Sequence, residues 1–223
     1  MTFLVLLGAP GAGKGTQAPI LADRLGLPHV ATGDLFRSAV NEGSAVGLEA
    51  RRYMERGQLV PDSITVKMLL DRLSQADAAG GAILDGFPRN LAQADILESA
   101  LADRQSSVDL ALEIDVPEEL LVQRLSGRWI CRANGHVYNE TSHPPLAAGI
   151  CDLDGSALVQ REDDRRETVV ARLAAQLSAL AEVVGFYRAR GLLRSVDGRL
   201  PPAEVTAALL SAALAGTADR AAG

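Results

Sequence analysis

The chain has 223 residues and a net charge of −6, which suits one sizeable α/β domain with room for small insertions and offers no basic face for nucleic acid. Its first apolar run, residues 3–7, is too short for the core of a signal peptide, and no run approaches the roughly 20 apolar residues of a membrane span. Two cysteines in such a chain favour reduced thiols or metal ligands over a disulfide framework. We therefore expect a soluble cytoplasmic protein.

Short apolar segments alternate with longer helical patterns, and this alternation is typical of a parallel sheet covered by helices. The predicted strands are residues 3–7, 28–31, 82–85, 108–115 and 193–196. Their nearly continuous hydrophobicity fits strands that are buried on both faces. Pro117, followed by two glutamates, predicts the start of one helix, and Asp163 with Asp164 predicts the start of a long one.

Two segments interrupt the alternation. Residues 32–60 carry two polar helical patterns with no strand between them. Residues 127–164 are rich in Gly, Pro, Asn and Asp and contain short alternating pieces, which predicts a small β-rich insertion outside the main sheet. The end of the chain is small and polar, so we expect it to fray.

The stretch LLGAPGAGKGTQ, residues 6–17, carries the pattern Gly8-x-x-x-x-Gly13-Lys14 between a predicted strand and a predicted helix. In this context backbone N–H groups cradle phosphate oxygens, and the lysine reaches the terminal phosphates. Lys14 is one of only two lysines, the other being Lys67, in a chain whose other basic residues are arginines. The sequence therefore predicts a site that holds a nucleotide by its phosphates.

The residue after the lysine departs from the generic phosphate loop, which places Ser or Thr there as a ligand for Mg²⁺. Here that position is Gly15, and the hydroxyl follows at Thr16. We therefore expect Mg²⁺ to be held mostly by phosphate oxygens and waters, which this ion tolerates well. Asp85, at the end of a predicted strand, is the carboxylate expected to organise those waters, although an Asp in this position could instead cap a helix.

Three segments in combination, LGAPGAGKGTQ, ATGDLFR at 31–37 and LDGFPRN at 84–90, resemble the nucleoside monophosphate kinases, and the match to the bacterial adenylate kinases is close. The resemblance covers roughly residues 1–215, and GKGT is part of this family's loop pattern. It implies an α/β P-loop NTPase fold, a parallel β-sheet flanked by helices with inserted monophosphate-binding and lid subdomains. The implied divisions are a core at 1–30, 61–126 and 165–215, an AMP-binding subdomain at 31–60, a lid at 127–164 and a flexible tail at 216–223.

The resemblance also implies an activity, reversible phosphoryl transfer from Mg-ATP to AMP that yields two ADP and maintains adenine nucleotide balance. The implied protein is a cytoplasmic monomer whose partners are the nucleotides ATP, AMP and ADP, with no nucleic acid and no membrane. Such chemistry needs in-line positioning and charge neutralisation, with little covalent help from the protein. The attacking AMP phosphate oxygen is already anionic, so His29, His136 and His143 need not act as bases.

The resemblance assigns site residues by position. The implied catalytic set is Lys14, Asp85, Arg37, Arg89, Arg128, Arg161 and Arg172. The implied ATP contacts are Gly11, Ala12, Gly13, Lys14, Gly15, Thr16, Arg124, Arg128, Val137, Tyr138 and Leu200. The implied AMP contacts are Thr32, Arg37, Gln58, Leu59, Val60, Gly86, Phe87, Pro88, Arg89, Gln93, Arg161 and Arg172.

The assignment of Gln93 has a chemical basis. Gln93 has a donor and an acceptor that could read an adenine edge, although without the flanking motif it would be interpreted as a solvated helix residue. Asp163 and Asp164 are expected to hold the closed lid and its arginines rather than to act as acids.

The predicted lid contains half of a zinc-ribbon pattern. Cys131-x-x-Asn134 and Cys151-x-x-Asp154 have metal-ligand spacing and resemble the zinc-bearing lid of some members of this family. Asn134 stands where a Cys is expected, and a neutral amide is a poor zinc ligand. His136 or His143 could supply a fourth donor, but His136 falls on a different hairpin position, so the sequence predicts no structural metal, with Asn and Asp forming hydrogen bonds instead.

Three alternatives remain at this point. A UMP or CMP kinase of the same fold usually has a short lid, which the 38-residue insertion at 127–164 argues against. A GTP:AMP phosphotransferase is poorly separated by sequence, because backbone largely contacts the donor base. A non-catalytic nucleotide sensor predicts the loss of a clamp residue, yet Lys14 and all five candidate arginines are present.

Overall fold

The computed structural model describes residues 1–56, 58–161 and 164–221, with side chains through residue 216. The strands are Thr2–Leu7 (β1), His29–Ala31 (β2), Gly81–Asp85 (β3), Val108–Asp115 (β4), Arg128–Cys131 (β5), Val137–Asn139 (β6), Leu158–Val159 (β7) and Leu193–Asp197 (β8). The helices are Lys14–Leu25 (α1), Thr32–Asn41 (α2), Ala45–Met54 (α3), Asp62–Leu73 (α4), Leu91–Ala102 (α5), Glu118–Ser126 (α6), Arg166–Ala189 (α7) and Pro202–Ala221 (α8). Asp163 lies outside the described residues.

The main sheet is parallel and has the strand order β2-β3-β1-β4-β8. All five strands predicted from the apolar runs are present, within one residue of their expected ends, so this part of the prediction is confirmed. Because every strand runs the same way, the carboxyl ends of β1, β2 and β3 meet at one edge, where open α/β sheets bind their ligands.

Both faces of this sheet are buried, as the continuous hydrophobicity of the strands predicted. In β1, Leu4 and Leu6 pack in one core cluster with α1, α6 and α8, while Phe3, Val5 and Leu7 pack in the other with α4 and α5. Alternate residues of a strand point to opposite faces, so a strand with helices on both sides must be apolar throughout.

The long helix α7 contributes to both core clusters. It is long and apolar enough to cross a membrane by length and composition alone. However, Val169 and Leu173 are buried in one cluster, and Val183 and Tyr187 in the other. These four apolar residues of α7 thus have partners within this fold.

The two interrupting segments form separate small units. In the first, α2 and α3 pack around Phe36, Ala50 and Val60. In the second, β5, β6 and β7 form a three-stranded antiparallel sheet of order β6-β5-β7, as the short alternating pieces predicted. At the end of the chain, α8 extends to Ala221, so residues 216–221 are helical, and Ala222 and Gly223 lie outside the described residues.

Candidate active site

The phosphate loop connects β1 to α1 and depends on glycine backbone geometry. Gly8 has φ +147°, and a Cβ there would lie 2.9 Å from the carbonyl oxygen of Ile114. Gly13, the N-cap of α1, has φ +105°. Both positions therefore favour glycine, and α1 begins at Lys14, so that its N-terminus lies at the loop, where an anion is stabilised.

Lys14 lies folded over the loop. Its Nζ donates hydrogen bonds to the carbonyl oxygens of Gly8, at 2.6 Å, and Ala9, at 3.1 Å. Burial lowers the pKa of Lys14 to about 8, the nearby Asp85 opposes this, and three cations add to the lowering. Those cations are Arg89, Arg172 and Arg128. Lys14 is thus a half-buried ammonium whose charge lies near those of three arginines.

Asp85 ends β3 beside this lysine. Its Oδ2 lies 3.3 Å from Nε2 of His29 on the neighbouring strand β2. Burial alone would raise the pKa of Asp85, but the His29 hydrogen bond and the charge of Lys14 together hold that pKa below its usual value. Asp85 is therefore an ionised carboxylate at the carboxyl edge of the sheet.

A cavity opens between α2, the segment 58–60, the start of α5 and α7. Eight of the residues predicted to contact the monophosphate line this cavity: Thr32, Arg37, Gln58, Leu59, Val60, Arg89, Gln93 and Arg172. The sequence reasoning missed five further lining residues, Gly33, Phe36, Met54, Thr65 and Gln176. Gly33 and Phe36 lie within the motif ATGDLFR, which could have identified them as site residues. The other three lie outside the motifs from which the site was inferred.

The segment after β3 connects the cavity to the sheet. The carbonyl oxygen of Gly86 accepts hydrogen bonds from Thr32 Oγ1, at 2.9 Å, and from Arg89 Nε, at 2.7 Å. Phe87, by contrast, is 1% exposed and packs in the main core, and Pro88 is also buried. Neither side chain lines the cavity, and the predicted contacts of Phe87 and Pro88 with nucleotide stay predictions.

Two of the predicted clamp arginines converge on one buried carboxylate. Asp164, fully buried before α7, accepts from Arg128 Nε at 2.7 Å and from Arg172 Nη1 at 3.4 Å. Arg128 belongs to β5 and Arg172 to α7, so Asp164 joins the small sheet to the core. Arg161 is half-buried just before this point, and its carbonyl oxygen accepts from the Asp164 backbone N–H.

The residues predicted on the ATP side have mixed positions. Arg124 Nη2 donates to the carbonyl oxygen of Gly198 at 2.9 Å, which places it beside the loop that contains Leu200. Leu200 and Val137 are partly exposed, at 37% and 40%. Tyr138 is 2% exposed inside the small sheet's core, so its side chain faces away from solvent.

Arg89 and Arg172 link the two halves of the site. Both line the cavity, and both lie close enough to Lys14 to lower its pKa. The cavity and the phosphate loop therefore share one set of cations, which is the arrangement needed to neutralise phosphate groups approaching from two sides.

Comparison with known proteins agrees with this geometry. The sequence profile of the adenylate kinase family matches residues 6–192. The chain belongs to the adenylate kinase family. It is 48% identical over 210 residues to an adenylate kinase of Streptomyces griseus, and the match covers 94% of this chain and 96% of that one. It is 50% identical over 195 residues to an adenylate kinase of Syntrophomonas wolfei, and the match covers 87% of this chain and 91% of that one. An adenylate kinase of Staphylococcus aureus is 44% identical over 203 residues, covering 91% and 94%. Membership identifies the chain as a nucleotide-binding kinase with the P-loop fold.

The segment 127–164 contains a four-residue group that the sequence only half predicted. The ligand atoms of Cys131, His136, Cys151 and Asp154 all lie within 4.8 Å of one another. Nδ1 of His136 is 3.2 Å from Cys151 Sγ and 3.5 Å from Asp154 Oδ2, while Cys131 Sγ is 3.1 Å from that same oxygen. The sequence left His136 or His143 open as a fourth donor, and the structure places His136 in this group despite its different hairpin position.

Asn134, at the position where a fourth ligand was expected, has a different place in this group. Its Nδ2 donates to Asp154 Oδ2 at 2.7 Å, and its backbone N–H points to Cys131 Sγ at 3.4 Å. Two thiols, an imidazole and a carboxylate form a donor set that Zn²⁺ accepts, and tetrahedral ligands at zinc bond lengths lie about 3.3–3.8 Å apart. The residues present therefore fit zinc.

Proposed function

We propose that this protein transfers the γ-phosphoryl group of Mg-ATP reversibly to AMP, giving two ADP. The observation that carries the proposal is the position of Arg89 and Arg172, which line the acceptor cavity and lie close enough to Lys14 of the phosphate loop for their charges to lower its pKa. Cations shared between two phosphate sites are useful to an enzyme that brings the phosphates together, and a sensor of one nucleotide has no need of them.

The residues act by position and charge. The phosphate loop and Lys14 hold the β- and γ-phosphates, and the forked guanidinium groups of Arg89 and Arg172 grip the acceptor phosphate and the equatorial oxygens of the transferring group. No general base is needed, because the AMP phosphate oxygen is an anion. Mg²⁺ bound to ATP neutralises phosphate charge, with Thr16 and Asp85 as the residues that would hold it through hydroxyl and water contacts.

The inserted units have separate tasks in this proposal. The unit 31–60 binds AMP, and the lid, residues 127–164, closes over ATP, excludes water and thereby prevents wasteful hydrolysis. Arg37, Arg128 and Arg161 complete the set of charges around the phosphates, and Arg124 with Leu200 forms part of the donor base site. The protein is proposed to act as a cytoplasmic monomer.

Product formation with a panel of substrates tests the proposal. With ATP and Mg²⁺ we expect ADP to form with AMP and not with GMP, CMP or UMP, and the same panel with GTP as donor identifies the donor preference. Turnover with UMP or CMP would contradict the acceptor assignment. ATP binding without transfer to any acceptor would favour the sensor.

The pKa of Lys14 predicts a pH dependence of catalysis. The ammonium form binds phosphate, and because the pKa is about 8 in the ligand-free protein, that form is lost as the pH rises through 8. We expect kcat/KM for ATP to fall above pH 8, approaching about tenfold per pH unit. The value of kcat should fall only at higher pH, since bound phosphates stabilise the ammonium. A flat kcat/KM profile between pH 7 and pH 9.5 would contradict this.

We also propose a structural zinc in the lid, held by Cys131, His136, Cys151 and Asp154, with Asn134 supporting Asp154 through its amide. This revises the expectation of a metal-free lid, because His136 lies in the group as a fourth donor. The small sheet buries few apolar residues, chiefly Tyr138, Leu158 and the two cysteines themselves. A bound metal would supply the stability that such a small core lacks.

Zinc content distinguishes the two lids. We expect about one zinc per chain in the wild type and a marked loss in His136→Ala, measured with a chromophoric chelator after thiol modification. His143→Ala is the matched control, because His143 stacks on Tyr138 at 5.4 Å but contributes no atom to the group. Two freely titrating thiols and no zinc in the wild type would establish a hydrogen-bonded lid instead.

A further inference from the structure

The amide of Gln93 is held in one orientation by two partners of opposite kind. Gln93 is 1% exposed and lines the acceptor cavity. Its Nε2 donates to Asp62 Oδ1 at 2.6 Å, and its Oε1 accepts from the backbone N–H of Arg89 at 2.8 Å. A carboxylate can only accept and a backbone N–H can only donate, so a flipped amide would place oxygen against oxygen and N–H against N–H.

Asp62 is itself fixed. Nδ2 of Asn90 donates to both of its carboxylate oxygens, at 3.2 and 3.1 Å. The orientation of Asn90 is settled in turn, because its Oδ1 caps α5 by accepting from the Gln93 backbone N–H at 2.8 Å. These hydrogen bonds connect the start of α5 to the start of α4, and they allow the amide of Gln93 only one orientation.

An amide has two N–H groups and two acceptor lone pairs, so one of each remains for a ligand in the cavity. Adenine presents an acceptor, N1, beside the donor N6, and an amide in one fixed orientation matches that order. A 6-oxopurine presents the reverse order, a donor N1–H beside the acceptor O6. The phosphate end of the nucleotide is held by arginines, so the base cannot turn over to compensate.

We infer that Asp62 is a specificity-determining positioning residue, which makes the acceptor site read adenine rather than a 6-oxopurine by fixing the amide of Gln93. The inference rests on the proposed function, since it takes the cavity to be the AMP site. Asp62 does not contact the base and acts through Gln93. If Asp62 only joined α4 to α5, its loss would change stability without changing the preference between bases.

The test compares AMP with IMP, which has the 6-oxo group but no 2-amino group that could clash. The readout is the ratio of kcat/KM for AMP to kcat/KM for IMP, which cancels the concentration of folded enzyme. In Asp62→Asn the charge-assisted hydrogen bond to Gln93 is lost. The new amide also offers an N–H group to which the oxygen of a flipped Gln93 amide can bind. We therefore expect the ratio to fall about tenfold or more. Asp71→Asn, an exposed position on the same helix, is the matched control and should keep the wild-type ratio.

Two further variants keep the inference falsifiable if Asp62→Asn does not fold. Asp62→Ser also removes the carboxylate, and Gln93→Met removes the amide while keeping a side chain of similar length, so both should lower the ratio. An unchanged ratio in whichever of these variants folds overturns the inference. Absence of AMP turnover in the wild type would instead contradict the proposed function.

Discussion

Replacing Lys14 with Met is expected to lower kcat/KM for the transfer reaction about 10²–10³-fold, the size of effect seen when one preorganised charge that stabilises a transition state is removed. The reason is the position of Nζ, which lies over the phosphate loop, where its charge is near those of Asp85 and three arginines. Initial rates in a coupled ADP assay measure the change.

Lys67→Met is the matched control, because Lys67 is the only other lysine and is exposed on α4. It should retain wild-type activity. Lys14→Met should also keep its fold, since burial disfavours the ammonium in the ligand-free protein, as the lowered pKa of Lys14 indicates. A Lys14→Met protein that is active, or inactive only because it is unfolded, would contradict the proposed role.

Local patterns sufficed for the sheet and for the phosphate loop. The apolar strands are set by burial on both faces, and the glycines of the loop by backbone geometry at Gly8 and Gly13. Both are constraints that act within a few residues of the chain, so a pattern within the chain reveals them.

The rest of the site depends on contacts between distant residues. His136 reaches Cys151 across a hairpin, Asp62 meets Gln93 from another helix, and Gln176 enters the cavity from α7. Such contacts follow from how elements pack, which no local spacing encodes. Phe87 shows that a residue inside a functional motif can also be a core residue, since its side chain packs in the main core.

Asp164 is expected to stabilise the ligand-free protein by neutralising Arg128 and Arg172. It is fully buried, and Asp164→Asn leaves Arg128 and Arg172 close to Lys14 without that countercharge. Breaking a buried ion pair costs about 3–5 kcal/mol, so the unfolding temperature should fall on the order of 10 °C in thermal unfolding without nucleotide. Activity should fall as well, because Asp164 orients both guanidinium groups.

The matched control is Asp77→Asn, which disrupts a bidentate pair with Arg72 of similar geometry, at 2.9 and 2.6 Å, but on an exposed surface, where solvent screens the charges. It should leave the unfolding temperature nearly unchanged. Bound nucleotide can replace the missing negative charge, since ATP and AMP added without Mg²⁺ bring phosphate oxygens to the same arginines. We therefore expect the deficit of Asp164→Asn to shrink when both nucleotides saturate the protein. If the deficit is equally large with and without nucleotide, Asp164 serves the packing of α7 rather than the balance of charge at the phosphate site.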